Sequence, residues 1–271
     1  MQKHPAGYQI MYLNSRDQAF DAPGMARYHQ LLGQLPMLVH PDPREVLVIG
    51  LGGGATPGAV SRYGGASVDV VELSPSVVRA AAFFSHINND VLRQPNVHLV
   101  VDDGRNFLLL NKKKYDVITA DIIQAHHAGS GNLYSREYYE LAKSALKDDG
   151  VMVQWINSGQ TTLYPMIVRT FLDVFPEASV WSYGTLFVGS KKPPQLDESS
   201  IARRFSQPGV RDAAAPTGLT GPETLLGLYS GDGATFRRSV GEGPILTDDR
   251  PLTEYFRSAP GTEWAPGMPE R

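Results

Sequence analysis

The sequence predicts an α/β fold: a mostly parallel, twisted sheet covered by helices on both faces, with a C-terminal antiparallel hairpin and a short N-terminal β segment. Three observations carry this. Apolar runs alternate with helix-like stretches from about residue 45 to 191. The first run, "VLVIG", stops at the glycine cluster "LGGGATPG", from which a helical pattern leaves. The last two runs, "SVWSYG" and "TLFVGSK", read as an antiparallel pair.

Each element follows from local pattern. "YQIMYLN" reads as a short strand, "SRDQAFDAPG" as turns and "MARYHQLLGQLPML" as a helix by its spacing. "EVLVIG" is a buried strand and "ATPGAVSRYG" a helix ending at glycines. "SVDVVEL" is the second strand of the alternating region. "SPSVVRAAAFFS" follows, with Ser74 as N-cap and Pro75 at the first helical position. "NVHLVVDDG" and "YDVITAD" are the third and fourth strands. In "SREYYELAKSALKDDG", Tyr138, Leu141, Ala142, Ala145 and Leu146 share one helical face, and Gly150 takes the C-cap place. "VMVQWI" is the fifth strand and "LYPMIVRTFLDVF" another helix. Three segments result: a β/helix segment over 1–40, a sheet domain over 41–192, and an appendage over 193–271. The appendage is richer in Pro, Gly and Ser, with helical stretches around Ile201 and Leu225 and a loose tail after about Arg257.

Composition narrows the function. The 42% hydrophobic content suffices for a sizeable core. A net charge of −3 argues against general nucleic-acid binding, which favours a basic surface. Zero cysteines exclude disulfides, thiolate nucleophiles and cysteine metal sites. No apolar run approaches the roughly 20 residues that span a bilayer. The start, "MQKHPAGYQI", lacks the apolar core of a signal peptide, so a cytoplasmic location is expected.

In such a sheet, ligands sit beyond the carboxyl ends of the strands. Gly50, Gly52, Gly53 and Gly54 lie there, where glycine lets backbone approach a ligand. The second strand ends in Glu72, which could accept hydrogen bonds from both hydroxyls of a ribose. Taken alone, this fits NAD or an S-adenosyl sulfonium compound equally well, and a glycine turn used only for tight packing stays open. The third strand ends in Asp102, Asp103 and Gly104, where an acid could reach an adenine amino group, and the fourth ends in Asp121. Each acid alone would read as a solvated loop or N-cap residue. Four strand ends in register favour the nucleoside.

These residues carry a family resemblance. "YDVITADIIQAHHAGSGNLYSREYYELAKSALKDDGVMVQW", "MYLNSRDQ", "YHQLLGQLP", "VLVIGLGGG" and "VVELSPSVV" resemble the spermidine synthase (polyamine aminopropyltransferase) family over about residues 8 to 191. "ILTDDRPLTEYF" resembles a bacterial branch often fused behind membrane helices. The resemblance implies a methyltransferase-like Rossmann fold and aminopropyl transfer from decarboxylated S-adenosylmethionine to an amine, releasing methylthioadenosine. It also implies a homodimer, and membrane association if the chain is part of a longer protein.

Carried over by position, the resemblance implies that Gln18 and His29 line the site from the N-terminal side. Gly50, Gly52 and Gly54 would cradle the methionine-derived end of the donor. Glu72 would hold the ribose, and Asp102, Asp103 and Gly104 the adenine. Asp121 matches the catalytic aspartate, with Tyr28, Gln124 and Tyr183 toward the acceptor.

Three acids common in the family are replaced here by Gly53, Gln124 and Gln30, each a lost negative charge in a pocket for cations. Asp248 and Asp249 could replace one, or form a turn before Pro251. His126 and His127 have no evident further ligands, so no metal is expected, and their glycine-rich loop reads as a gate. Three functions follow: an aminopropyltransferase, a transferase such as a methyltransferase using S-adenosylmethionine itself, and a non-catalytic nucleoside-binding module. NAD-dependent oxidoreduction stands fourth.

Overall fold

The computed structural model describes residues 1–13, 16–121, 125, 130–157, 163–193 and 196–253. Strands β1 (Gln2–Lys3), β2 (Gln9–Leu13) and β3 (Arg16–Phe20) form a small antiparallel sheet. Helix α1 (Pro23–Val39) follows, then β4 (Glu45–Ile49), α2 (Ala55–Ser61), β5 (Ser67–Glu72), α3 (Pro75–Ala80), α4 (Ser85–Asn88) and β6 (Val97–Val101). The chain continues through α5 (Gly104–Leu110), β7 (Tyr115–Ala120), α6 (Arg136–Ala145), β8 (Leu146–Trp155), α7 (Tyr164–Val174), β9 (Ser179–Trp181) and β10 (Leu186–Ser190). It adds α8 (Glu198–Phe205), α9 (Val210–Ala214), α10 (Pro222–Leu226), β11 (Tyr229–Asp232) and α11 (Gly233–Val240).

The large sheet runs β11-β9-β10-β8-β7-β4-β5-β6. Strands β4 to β8 pair in parallel, while β10 joins β8 and β9 antiparallel. Strand order reverses at β4, which has β5 on one side and β7 on the other, so a crevice opens between the carboxyl ends of β4 and β7. Alternation along β4 splits the core. Val46 and Val48 join one buried cluster with Leu32 of α1 and Val60 of α2, while Leu47 and Ile49 join the other with Tyr138 and Phe171 of α6 and α7. Among the described residues, no helix is long and apolar enough to cross a membrane.

Two expectations are corrected. The polar run expected as turns forms β3, because pairing with β2 supplies the backbone partners its side chains do not advertise. Gly150 is not a helix C-cap. Helix α6 stops at Ala145, Leu146 is already extended, and Gly150 sits within β8. The β7–β8 register shifts there, and a Cβ on Gly150 would stand 2.8 Å from the Tyr115 carbonyl oxygen. The expected tail after Arg257 lies outside the described residues. The appendage also contributes an edge strand, β11, to the main sheet.

Candidate functional site

The carboxyl ends of the central strands are laced together by backbone. Asp121 N–H donates to the Ile49 carbonyl (2.9 Å), Gly50 N–H to Val71 (2.8 Å) and Asp102 N–H to Glu72 (3.2 Å). This brings Gly50, Glu72, Asp102 and Asp121 to one edge. Gly50 has φ +92°, and a Cβ there would lie 2.8 Å from the Asp121 carbonyl oxygen, so glycine lets β4 turn out against β7. At Gly52, φ is +53° and among the described residues nothing lies within 4 Å of where a Cβ would stand, which leaves open ground beside the turn.

Glu72 is 8% exposed and fixed by backbone. Its Oε2 accepts from Leu51 N–H (2.9 Å) and its Oε1 from Ser74 N–H (2.8 Å). Each oxygen keeps a second lone pair, enough for a diol. Asp103 is the N-cap of α5, accepting from the Arg105 and Asn106 amides. Asp102 accepts from the Asp103 amide (2.8 Å) and from the Asn106 side chain. Of the two acids, Asp103 therefore holds the helix and Asp102 the strand end.

Asp121 Oδ1 lies 2.8 Å from His29 Nδ1, and its Oδ2 accepts from the Thr56 hydroxyl at 2.8 Å. The same hydroxyl lies 2.8 Å from the His29 carbonyl oxygen. Burial opposes a charged His29, but the charge of Asp121 and its hydrogen bond outweigh burial and hold the imidazole pKa above its ordinary value. Trp155, at the end of β8, packs edge-on against Tyr28 (5.6 Å between rings) and His29 (6.1 Å). Tyr28 donates its hydroxyl to Thr185, and burial raises its phenol well above the usual range, so it stays a donor. Tyr183 stands 79% exposed at the β9–β10 tip, two residues before Thr185.

Gln18 sits at a bulge in β3: Met11 pairs with Ala19 and Tyr12 with Asp17, leaving Gln18 without a partner. Its neighbour Ala19 packs toward Gly53, whose Cβ would lie 3.4 Å from that of Ala19. Gln124, His126 and His127 lie outside the described residues.

Sequence reasoning missed Thr56, Trp155 and Thr185. Trp155 had a signal, as the aromatic at the carboxyl end of the fifth strand. Thr56 and Thr185 had none. The expectation that Gln30 faces the cation pocket meets a competing use: its amide donates to the Ile87 carbonyl (2.9 Å), tying α1 to α4. Asp248 is likewise engaged. Both its oxygens meet the Arg105 guanidinium, which holds the carboxyl below its usual range, while Asp249 accepts from Thr247 (2.6 Å). The Asp248 charge is thus already neutralised.

A second cluster, His40, Asp116 and Asp149, places three donor atoms within 4.8 Å of one another. His40 Nδ1 accepts from the Asp42 amide (3.2 Å), so the neutral ring carries its proton on Nε2. Metal ligation through Nε2 would drive that proton onto Nδ1, against an N–H. The cluster is therefore read as polar packing.

The family match decides the kinship. The spermine/spermidine synthase domain matches residues 25–178, which include most of α1, the glycine turn, Glu72 and Asp121. The chain belongs to the spermine/spermidine synthase family. A polyamine aminopropyltransferase of Methanocaldococcus jannaschii is 36% identical over 128 residues, covering 47% of this chain and 43% of that protein. One from Korarchaeum cryptofilum is 26% identical over 247 residues, covering 85% of this chain and 74% of the relative. The chain thus aligns with under half of the first relative and about three quarters of the second. A crystal structure of a spermidine synthase with the transition-state analogue AdoDATO has a TM-score of 0.63 at 23% identity, covering 80% of each chain. A human methyltransferase-like protein 13 with SAH has a TM-score of 0.50 at 20% identity, covering 71% of this chain and 89% of that one. At these identities the structural matches establish the methyltransferase-like fold.

Proposed function

We propose that this chain transfers an aminopropyl group from decarboxylated S-adenosylmethionine to an amine, with Asp121 as the base. The observation that carries the reading is the placement of Asp121: a carboxylate at the strand-order reversal, against the glycine turn and bonded to His29. Membership of the spermine/spermidine synthase family supports the same chemistry.

An alkylammonium has a pKa near 10 and no free lone pair while protonated. Asp121 takes or steers one proton from it. The freed nitrogen attacks the aminopropyl carbon bonded to sulfur. A C–N bond forms, the C–S bond breaks, and the sulfonium leaves with that electron pair as the neutral thioether methylthioadenosine. His29 and Thr56 hold the carboxylate in place, and Glu72 holds the ribose through its remaining lone pairs. Alignment of nitrogen and carbon supplies much of the remaining acceleration.

A second reading, transfer from S-adenosylmethionine itself, is favoured by Gly53. A carboxylate at that position would repel the donor's own carboxylate, and none is present. Incubation with each donor and a panel of amines, read by mass spectrometry, separates the two. Methylthioadenosine with an aminopropylated amine supports the proposal. S-adenosylhomocysteine with a methylated product supports the second reading. Tight nucleoside binding with no transfer from either donor rejects both.

A further inference from the structure

The molecule also carries a cavity away from the carboxyl edge of the sheet. A cleft of about 480 Å³ opens at the opposite end, where β4 and β5 begin. Three segments wall it: Asp42–Arg44 between α1 and β4, Arg62–Ala66 between α2 and β5, and Arg204–Val210 leading from α8 into α9. It therefore lies between the sheet domain and the C-terminal appendage, a common place for small-molecule sites, and its volume falls in their range.

The charge of this cleft runs against that of the chain. The chain carries a net −3, yet the cleft is lined by three guanidiniums (Arg44, Arg62 and Arg204) and one carboxylate, Asp42. Asp42 is already paired with Arg44 at 2.8 Å. Arg204 is the unusual member. It is 6% exposed, and its partners are uncharged: Nε donates to the Met37 carbonyl (2.8 Å), Nη1 to the Gln207 side chain, and its face lies over the Tyr63 ring (5.5 Å). Among the described residues no carboxylate lies within ion-pair distance of it. The Asp42 carboxylate acts on Arg204 only from beyond ion-pair distance, and a buried cation without a direct counter-charge is unfavourable, so a bound anion would supply one. Planar guanidinium forks match the paired oxygens of phosphate and carboxylate groups.

We infer that the cleft lined by Arg44, Arg62 and Arg204 is a binding site for a small multivalent oxyanion, separate from the nucleoside crevice. Phosphate-bearing and polycarboxylate molecules share the required chemistry. Glu72 and Asp121 stand at the far ends of their strands from it. The two sites are therefore expected to fill independently.

The test is calorimetric titration of the full chain with pyrophosphate and with citrate at fixed ionic strength. Arg62 is exposed, and among the described residues its side chain makes no hydrogen bond or ion pair, so Arg62→Gln is expected to leave the fold intact and is the deciding variant. One-to-one binding of either anion, weakened about tenfold or more in Arg62→Gln and unchanged by saturating methylthioadenosine, supports the site. The tighter of the two anions names its source. Arg204→Lys, which keeps the charge but loses the fork, is expected to weaken binding as well. Absence of saturable heat from both anions overturns the inference. So does binding that Arg62→Gln leaves unchanged, or that methylthioadenosine displaces.

Discussion

His29 Nδ1 meets Asp121 Oδ1 at 2.8 Å, with the two side chains 10% and 8% exposed. Asp121 holds the imidazole pKa above its ordinary value of about 6.5 against the opposing effect of burial. A raised folded-state pKa contributes stability that is fully present below the unfolded value and lost as pH rises through the folded value. Activity runs the other way, since the pair must shed its proton before Asp121 can accept one from an amine. Above about pH 6.5, stability is therefore expected to fall while kcat/KM rises over the same window. Melting and kinetic profiles of wild type and His29→Gln check this. If His29→Gln keeps both limbs, the pair is not their source.

Asp121→Asn keeps the shape and loses the base. Turnover is expected to fall about a hundredfold or more, with nucleoside binding nearly intact. Stopped-flow turnover and calorimetry on the same preparation measure both. Equal turnover in the two proteins would remove Asp121 from the chemistry.

Thr56 has one hydroxyl proton and two acceptors at 2.8 Å, the His29 carbonyl and Asp121 Oδ2. The hydroxyl serves one acceptor at a time, and its bond to Oδ2 fixes the orientation of the Asp121 carboxylate beside α1. Thr56→Val preserves volume in a fully buried position and is expected to slow turnover by about 1.5–3 kcal/mol of barrier. Thr56→Ser is expected to restore it. A Val variant slowed only in proportion to its loss of folded protein would reduce Thr56 to packing.

Asp116 offers a check on the fold away from the site. Burial opposes its charge, but the Lys147 ammonium and the Glu45 and Arg44 amides more than compensate and hold its carboxyl below the usual range. A depressed carboxylate contributes stability above its unfolded pKa of about 4, lost as pH falls through the folded value. Asp116→Asn is expected to lower the melting temperature at neutral pH and to flatten the acid limb below about pH 4. An unchanged acid limb would assign that limb to other carboxylates.

Much of the fold is legible because β4 reads as a buried apolar run, and β5 and β7 as mainly apolar strands with single internal acids at Asp69 and Asp116. The acids at their ends stand where the pattern stops, so the ligand edge could be read as well. What stayed hidden depends on partners distant in sequence. Strand β3 carries Arg16, Asp17 and Gln18, and only β2 makes it a strand. Thr56 gains meaning when α2 packs against α1. The bond between Arg105 and Asp248 joins segments 143 residues apart, and no local pattern announces it. Gly150 misled because a glycine after a helical run has two uses, as C-cap and as bulge.

The last prediction concerns donor choice. Gly53 stands where the family commonly carries an acid, and its geometry does not require glycine. A Cβ there would lie 3.4 Å from Ala19 Cβ and 3.5 Å from Phe84 Cγ, which is ordinary contact, and its φ lies outside the left-handed region. Gly53→Asp is therefore expected to fold. It adds a carboxylate beside the glycine turn, where the free amine of a decarboxylated donor gains an ionic partner and the carboxylate of S-adenosylmethionine meets repulsion. Selectivity for the decarboxylated donor is expected to rise about tenfold or more. Gln124→Asp, which restores a second family acid, is expected to tighten diamine binding instead. Competition assays with both donors and a panel of amines resolve the two effects. If the unaltered protein already rejects S-adenosylmethionine strongly and Gly53→Asp adds nothing, charge at this position does not set donor choice. Asp248 is not the substitute in that case, because Arg105 already occupies both its oxygens.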